Sequence, residues 1–247
     1  MNNLIYFTIA KLLLVIKIYS RIMKKEIEYL NQKIINCNKC DRLVKFRNQI
    51  ATKKRKQYIE EKYWGKGVPG FGSYKAKLLI VGLAPAAHGA NRTGRVFTGD
   101  KSADFLFKCL HSAKISNIER SDYKNDNLKL NDTYITLALK CVPPEDKPKS
   151  EELKNCISFF KQELFYLKNL KVILALGKIA FDSCISLFNL KKKNYIFKHS
   201  NFYSISKKIT LVACYHPSPR NVNTKKIDFK EMKRVLNEIK RFMDHIK

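Results

Sequence analysis

The sequence predicts an α/β fold, a three-layer α/β/α sandwich around a central, mainly parallel four-stranded sheet. Three observations predict it. Four short apolar runs punctuate the chain: LLIVGLA at 78–84, TYITLAL at 133–139, KVILALG at 171–177 and ITLVACY at 209–215. Three of them are apolar almost throughout, as strands buried on both faces of a parallel sheet are. Helical patterns lie between them, and strands alternating with helices build sheets covered on both sides. No internal repeat and no low-complexity linker interrupts the alternation, so 23–247 reads as one domain.

Residues 1–22 stand apart. Their apolar stretch carries Lys11 and Lys17 and has no small-residue cleavage site. It also falls short of the roughly 18 uninterrupted apolar residues of a membrane span. An amphipathic surface helix, a weak membrane anchor and a translation start at Met23 all fit it. The last reading is preferred, because MKKEIEYLNQKI from Met23 opens an ordinary amphipathic helix. After the 78–84 strand, residues 102–113 set Phe105, Leu106, Cys109 and Leu110 at helical spacing. Ser150 serves as an N-cap, with Glu151 and Glu152 in the first turn, for a helix running towards Leu170. Gly177 ends the third strand and KIAFDSCISLF follows as a helix. A last amphipathic helix begins near Asp228. In such a sheet ligands bind beyond the C-terminal strand ends. The loops after Ala84, Leu139, Gly177 and Tyr215 are therefore where chemistry is expected.

Charge narrows the partner. Lys and Arg total 49 against 21 Asp and Glu, a formal net charge of +28. A hydrophobic content of 45% excludes a disordered chain. So basic a surface suits a polyanion, nucleic acid first, because each neutralised phosphate releases counterions. An anionic membrane surface is the rival, and a generally lysine-rich composition the plainest reading. Seven cysteines, at 37, 40, 109, 141, 156, 184 and 214, are an odd number without a secretory signal, which favours metal ligation over disulfides. Cys37 and Cys40 form C-x2-C. That spacing suits an iron–sulfur cluster and a structural zinc alike. Cys109, Cys184 and Cys214 sit in apolar contexts and read as core residues.

Two loops stand out. Residues 82–100 read GLAPAAHGANRTGRVFTGD, rich in glycine and small residues that let backbone N–H groups approach a ligand. The stretch lacks GK[ST] and G-x-G-x-x-G, so it is neither a Walker loop nor a dinucleotide fingerprint. Residues 215–224 read YHPSPRNVNT, where two prolines stiffen the backbone around His216. A histidine packed purely for structure is the alternative there.

At these loops a resemblance becomes specific. The 82–100 motif and H-P-S-P-R-N together resemble the paired active-site motifs of the uracil-DNA glycosylase superfamily, the first motif being similar to the family 5, or type-b, enzymes. The likeness extends over 63–100, 135–148 and the His216 loop. It implies that superfamily's three-layer fold and hydrolysis of the uracil–deoxyribose bond in DNA. It also implies a [4Fe–4S] cluster on Cys37, Cys40, Cys141 and Cys156.

Uracil must be flipped out of the stack to react. The resemblance then implies His216 and the backbone of Gly82, Leu83, Ala84, Pro85 and Ala86 on the base side, acting like an oxyanion hole. Phe97 is expected to stack on the ring, with a core phenylalanine as the alternative. Asp100 is expected to orient or activate water, with a helix N-cap as the competing or additional role. Asn91, Arg92 and Arg95 are expected to face the pocket, Asn91 and Arg95 in contact with substrate. Arg220 is expected to wedge into the minor groove with Asn221 and Ser218 beside it. The basic stretches 53–56 and 191–207 suit phosphates.

Departures matter too. Family 4 resembles G-E-P-G where this chain has Leu83, and carries a uracil-reading Asn where it has Leu137, so a broader pocket that takes hypoxanthine and other deaminated bases is expected. Asp146 replaces an Asn of the family 5 P-P-x-N-K-P loop and joins Asp100 and His216 as a catalytic candidate. The implied partner is uracil-containing double-stranded DNA, with single-stranded DNA as a second form. A monomer in a prokaryotic cytoplasm, at the nucleoid and without stable membrane association, is expected. A non-catalytic iron–sulfur nucleic-acid-binding protein of the same fold is the alternative.

Overall fold

A computed structural model describes residues 21–245. The readings of residues 1–20 lie outside the described residues. Helix α1 occupies 21–35 of them, covering the amphipathic pattern expected from Met23. Then come α2 (Asp41–Lys53), β1 (Phe71–Gly72), β2 (Leu78–Gly82), α3 (Ala90–Thr93) and α4 (Lys101–Ser112). They are followed by β3 (Thr133–Leu137), α5 (Ser150–Tyr166), β4 (Val172–Leu176) and α6 (Lys178–Leu187). The chain ends with β5 (Phe202–Ser204), β6 (Thr210–Cys214), α7 (Pro219–Asn223) and α8 (Phe229–His245).

The sheet order is β1-β3-β2-β4-β6-β5. The four expected strands form its parallel centre, β3-β2-β4-β6. The expected count of four is corrected to six, because β1 and β5 add antiparallel edges. Both edges are short and only partly buried, so neither leaves a periodic apolar trace. Each central strand also stops before the end of its apolar run. Leu83 and Ala84, Ala138 and Leu139, Gly177 and Tyr215 lie beyond the strands. The expectation of chemistry after Gly177 is corrected: Gly177 caps α6 directly, leaving no loop there, and the cavity takes its lining from the loops after β2, β3 and β6.

Period-two alternation divides the central strands between two cores. Leu78, Ile80, Ile135, Leu137, Leu174 and Val212 pack with α4 and α8 on one face. Leu79, Val81, Tyr134, Ile173, Leu211 and Ala213 pack with α5 and α6 on the other. These are the three expected layers. A third, smaller core joins α1 and α2 to α5 through Leu30, Ile34, Leu43, Cys141, Cys156 and Phe159. Among the described residues no helix is long and apolar enough to cross a membrane.

One cap differs from expectation. Lys149, not Ser150, is the N-cap of α5. Glu152 decides this: its carboxylate accepts from the Lys149 N–H at 2.7 Å and from the Arg42 guanidinium at 2.7 Å, which ties α2 to the first turn of α5.

Candidate active site

A cavity of about 310 Å³ opens at the C-terminal ends of the parallel strands. Leu83, Ala84, Pro85 and Ala86 line it from the loop after β2. Phe97 and Asp100 line it from the end of the same motif, and His216 and Ser218 from the loop after β6. Asp146 reaches it from the loop after β3. Nine of the residues singled out in the sequence, from four stretches of chain, thus line one cavity.

Backbone geometry explains why the motif has its composition. Gly82 lies under the Phe97 ring, and a Cβ there would stand 2.9 Å from two ring carbons and from Leu137. Gly82 is therefore the floor beneath Phe97 rather than a lining residue. Phe97 itself has φ 46°, a left-handed conformation that is strained for a bulky side chain. Its ring stacks on His216, with centroids 5.9 Å apart and 30° between planes. Ala84 and Ala86 line the cavity, and their backbone N–H groups meet no acceptor among the described residues. Such donors suit an oxygen on a bound base.

Asp100 takes the capping role weighed for it and also stands at the cavity. It is the N-cap of α4, accepting from the Ala103 N–H at 3.0 Å, and it lines the cavity. Burial raises its carboxyl pKa above the usual aspartate value. Gly89 makes the room: a Cβ there would fall 2.0 Å from Asp100 Oδ2. Burial lowers the pKa of His216 to about 4, so its imidazole is neutral at physiological pH. Asn221 holds the loop, donating from Nδ2 to the His216 carbonyl at 2.9 Å, and Ser218 caps α7 through the Asn221 N–H. Arg220 is exposed and follows Pro219, the last residue of this loop to line the cavity. Asp146 is also exposed, with a left-handed φ of 56°.

Asn91 and Arg95 are not brought to the cavity. Asn91 is buried and donates to the Arg47 carbonyl. Arg95 is buried in an ion pair with Asp126, braced by Thr98 and Ser121. Arg92 pairs with Glu61 and donates to the Gly99 carbonyl, fixing the turn before Asp100. These side chains shape the loop from behind. From the 53–56 stretch, Arg55 lines a neighbouring groove together with Arg92; that groove shares Ala86 and Asp100 with the cavity. In 191–207 the aromatics are packing groups: Phe197 and Tyr203 meet Phe181 edge-on.

The four cysteines of the proposed metal set gather in the third core, Cys141 and Cys156 buried and Cys37 and Cys40 packed against them. Hydrogen-bond donors face their sulfurs. Arg47 Nη1 donates to Cys141 Sγ at 3.0 Å, the Lys140 N–H to Cys156 Sγ at 3.4 Å and Asn155 Nδ2 to Cys40 Sγ at 3.6 Å. Among the described residues no three His, Cys, Asp or Glu side chains close around the position of a single ion. Cys109, Cys184 and Cys214 are buried in the cores, as expected.

Sequence reasoning missed a buried network behind this site. Lys140 Nζ donates to Glu163 Oε2 at 2.7 Å and to Thr136 Oγ1 at 2.6 Å. Glu163 also accepts from Thr136 and from the Gly70 N–H. A lysine next to a cysteine gives no sequence signal of burial. The alternation of β3, which turns Thr136 and Tyr134 to the same face, is the one available hint.

The family model described as the uracil DNA glycosylase superfamily matches residues 69–240. The chain belongs to that superfamily. A relative from Thermus thermophilus, named a type-5 uracil-DNA glycosylase, is 40% identical over 210 residues, 85% of this chain and 95% of its own. A Pyrobaculum aerophilum relative of the same name is 39% identical, covering 85% of this chain and 89% of its own. Another type-5 enzyme, from Mycobacterium leprae, is 40% identical over 79% of this chain and 86% of its own. The superfamily match begins at Pro69, beside Gly70, and takes in the whole cavity and the Lys140–Glu163 network.

Proposed function

We propose that this chain is a uracil-DNA glycosylase, hydrolysing the N-glycosidic bond of uracil and of other deaminated bases in DNA and leaving an abasic site. The observation that carries the reading is the single cavity joining Asp100, Phe97 and a neutral His216 at the strand ends. A flipped base stacks on Phe97. As the bond breaks, negative charge grows on the base, and His216 with the Ala84 and Ala86 amides donates to it. Asp100 orients a water and offsets the positive charge of the sugar. Asp146 stands exposed at the rim, where its charge reaches the bound base. Arg220, with Ser218 and Asn221 shaping its loop, enters the duplex where the base has left.

Residues 23–247 act as one domain, as a monomer on double-stranded DNA, in the cytoplasm and without stable membrane association. Seven free cysteines support a reducing compartment. Cys37, Cys40, Cys141 and Cys156 fit a [4Fe–4S] group. Their N–H donors suit anionic sulfur. When bound, the group crosslinks α1 and α2 to the core. Iron and acid-labile sulfide in the purified protein test that assignment.

The activity is tested by mass spectrometry of bases released from a uracil-containing duplex. Free uracil is the expected product; intact duplex after long incubation with folded protein contradicts the reading. Two further outcomes are expected. Gly89→Ala pushes the Asp100 carboxylate aside, so excision falls about 100-fold while stability falls by about 1 kcal/mol with the weakened cap. A melt and a single-turnover assay check both. The pH profile follows from burial. Asp100 must be ionised, and its raised pKa makes it take up a proton earlier as pH falls. The acid limb of the rate then lies above the ordinary aspartate value, whereas His216 stays neutral down to about 4. An acid limb at or below the ordinary value would contradict the role of Asp100.

A further inference from the structure

We infer that the cavity also accepts bases carrying a formal positive charge, N-alkylated purines such as 7-methylguanine, and releases them from DNA. This rests on the glycosylase reading above and extends its substrate class. Among the residues that line the cavity, the only charged side chains are the carboxylates of Asp100 and Asp146; no lysine or arginine lines it, in a chain whose formal charge is +28. The Phe97 face offers a cationic ring a π surface. His216 is neutral beside it and does not repel a cation. Leu83, Ala84, Pro85, Ala86 and Leu137 supply an apolar wall; no side-chain amide lines the cavity, and its hydroxyls are those of Ser102 and Ser218, the latter accepting from the Asn221 N–H. At about 310 Å³ the space falls within the range of pockets that enclose whole small ligands.

The chemistry balances with fewer demands than uracil makes. The C1′–N9 bond breaks and its electron pair stays on the ring nitrogen, cancelling the formal charge, so the base departs neutral. The sugar carries the positive charge until water adds at C1′, and the water's proton passes to the Asp100 carboxylate. No donor to an anionic leaving group is required. Asp146 therefore has opposite effects on the two substrates. Its charge repels a departing uracil anion and attracts an alkylated purine cation before the bond breaks.

The experiment uses the full-length protein and two duplexes, one with a single 7-methylguanine and one with a single uracil, each with a protein-free control for spontaneous loss. Wild-type protein is expected to release 7-methylguanine at least about tenfold faster than the control. Asp146→Asn is expected to slow that release about tenfold and to speed uracil release. Release of uracil with 7-methylguanine lost only at the control rate overturns the proposal, as does an Asp146→Asn protein that shifts both substrates in the same direction. Release of 7-methylguanine without uracil upholds it and removes uracil as the substrate. Release of neither base overturns the glycosylase reading, and the proposal with it.

Discussion

Asp100→Asn is expected to lower single-turnover uracil excision by about 10²- to 10⁴-fold, the range for removing a positioned general base. The substitution separates the two roles of the residue. Asparagine caps a helix as well as aspartate does, so the bond from Ala103 to the side chain at the start of α4 survives. The side chain keeps its shape in the space left by Gly89. What it loses is the negative charge beside the sugar and the capacity to take a proton from water. A melting temperature within a degree or two of wild type, together with the rate loss, is the expected pair of results. An unchanged rate would assign Asp100 to capping alone. Equal losses of rate and stability would mean that the cavity wall had collapsed.

Breaking the buried network is expected to produce the largest stability change. Lys140 and Glu163 are each 1% exposed, and every contact they make is inside the protein. Glu163→Ala leaves an ammonium buried without its counter-charge and the Gly70 N–H without its acceptor. Removing one partner of such a pair costs about 3–5 kcal/mol, which lowers the melting point by roughly 10 °C in a domain of this size. The double variant Lys140→Met with Glu163→Leu replaces both charges with apolar groups of similar volume. It is expected to recover most of the loss. If the double variant were no more stable than Glu163→Ala, the pair would matter by shape and not by charge. The pair sits between the cavity and the cysteines, since β3 leads through Leu137 at the cavity wall to Lys140 and Cys141. Glu163→Ala should therefore loosen both.

The parallel centre of the sheet was legible because burial on both faces writes long apolar runs, and β2, β3, β4 and β6 all lie within such runs. The edges were not. Phe71–Gly72 and Phe202–Ser204 are too short for a period to emerge and depend on their neighbours for pairing. The site was legible where chemistry and backbone demand coincide. Gly82 and Gly89 mark close approaches of Phe97 and Asp100, and the prolines around His216 fix its loop. Asn91 and Arg95 show the limit of that reasoning. A motif loop has an inner and an outer side, and polar residue type does not say which side a side chain takes; here ion pairing with Asp126, far along the chain, decides it for Arg95. The same limit hid Lys140, whose burial depends on Glu163 on another element. In 191–207 the lysines suit phosphates in sequence, but the aromatics between them are packing groups whose rings close over α6.

The most direct measurement is strand cleavage after alkali treatment of a duplex holding one G·U pair, incubated with wild-type protein or with the Asp100→Ala, His216→Ala double variant. Cleavage at the uracil by wild type alone is the expected result, and it would place glycosidic hydrolysis at the cavity where these two side chains meet. Equal cleavage by both proteins, or none by a folded wild-type protein that still binds the duplex, would contradict it.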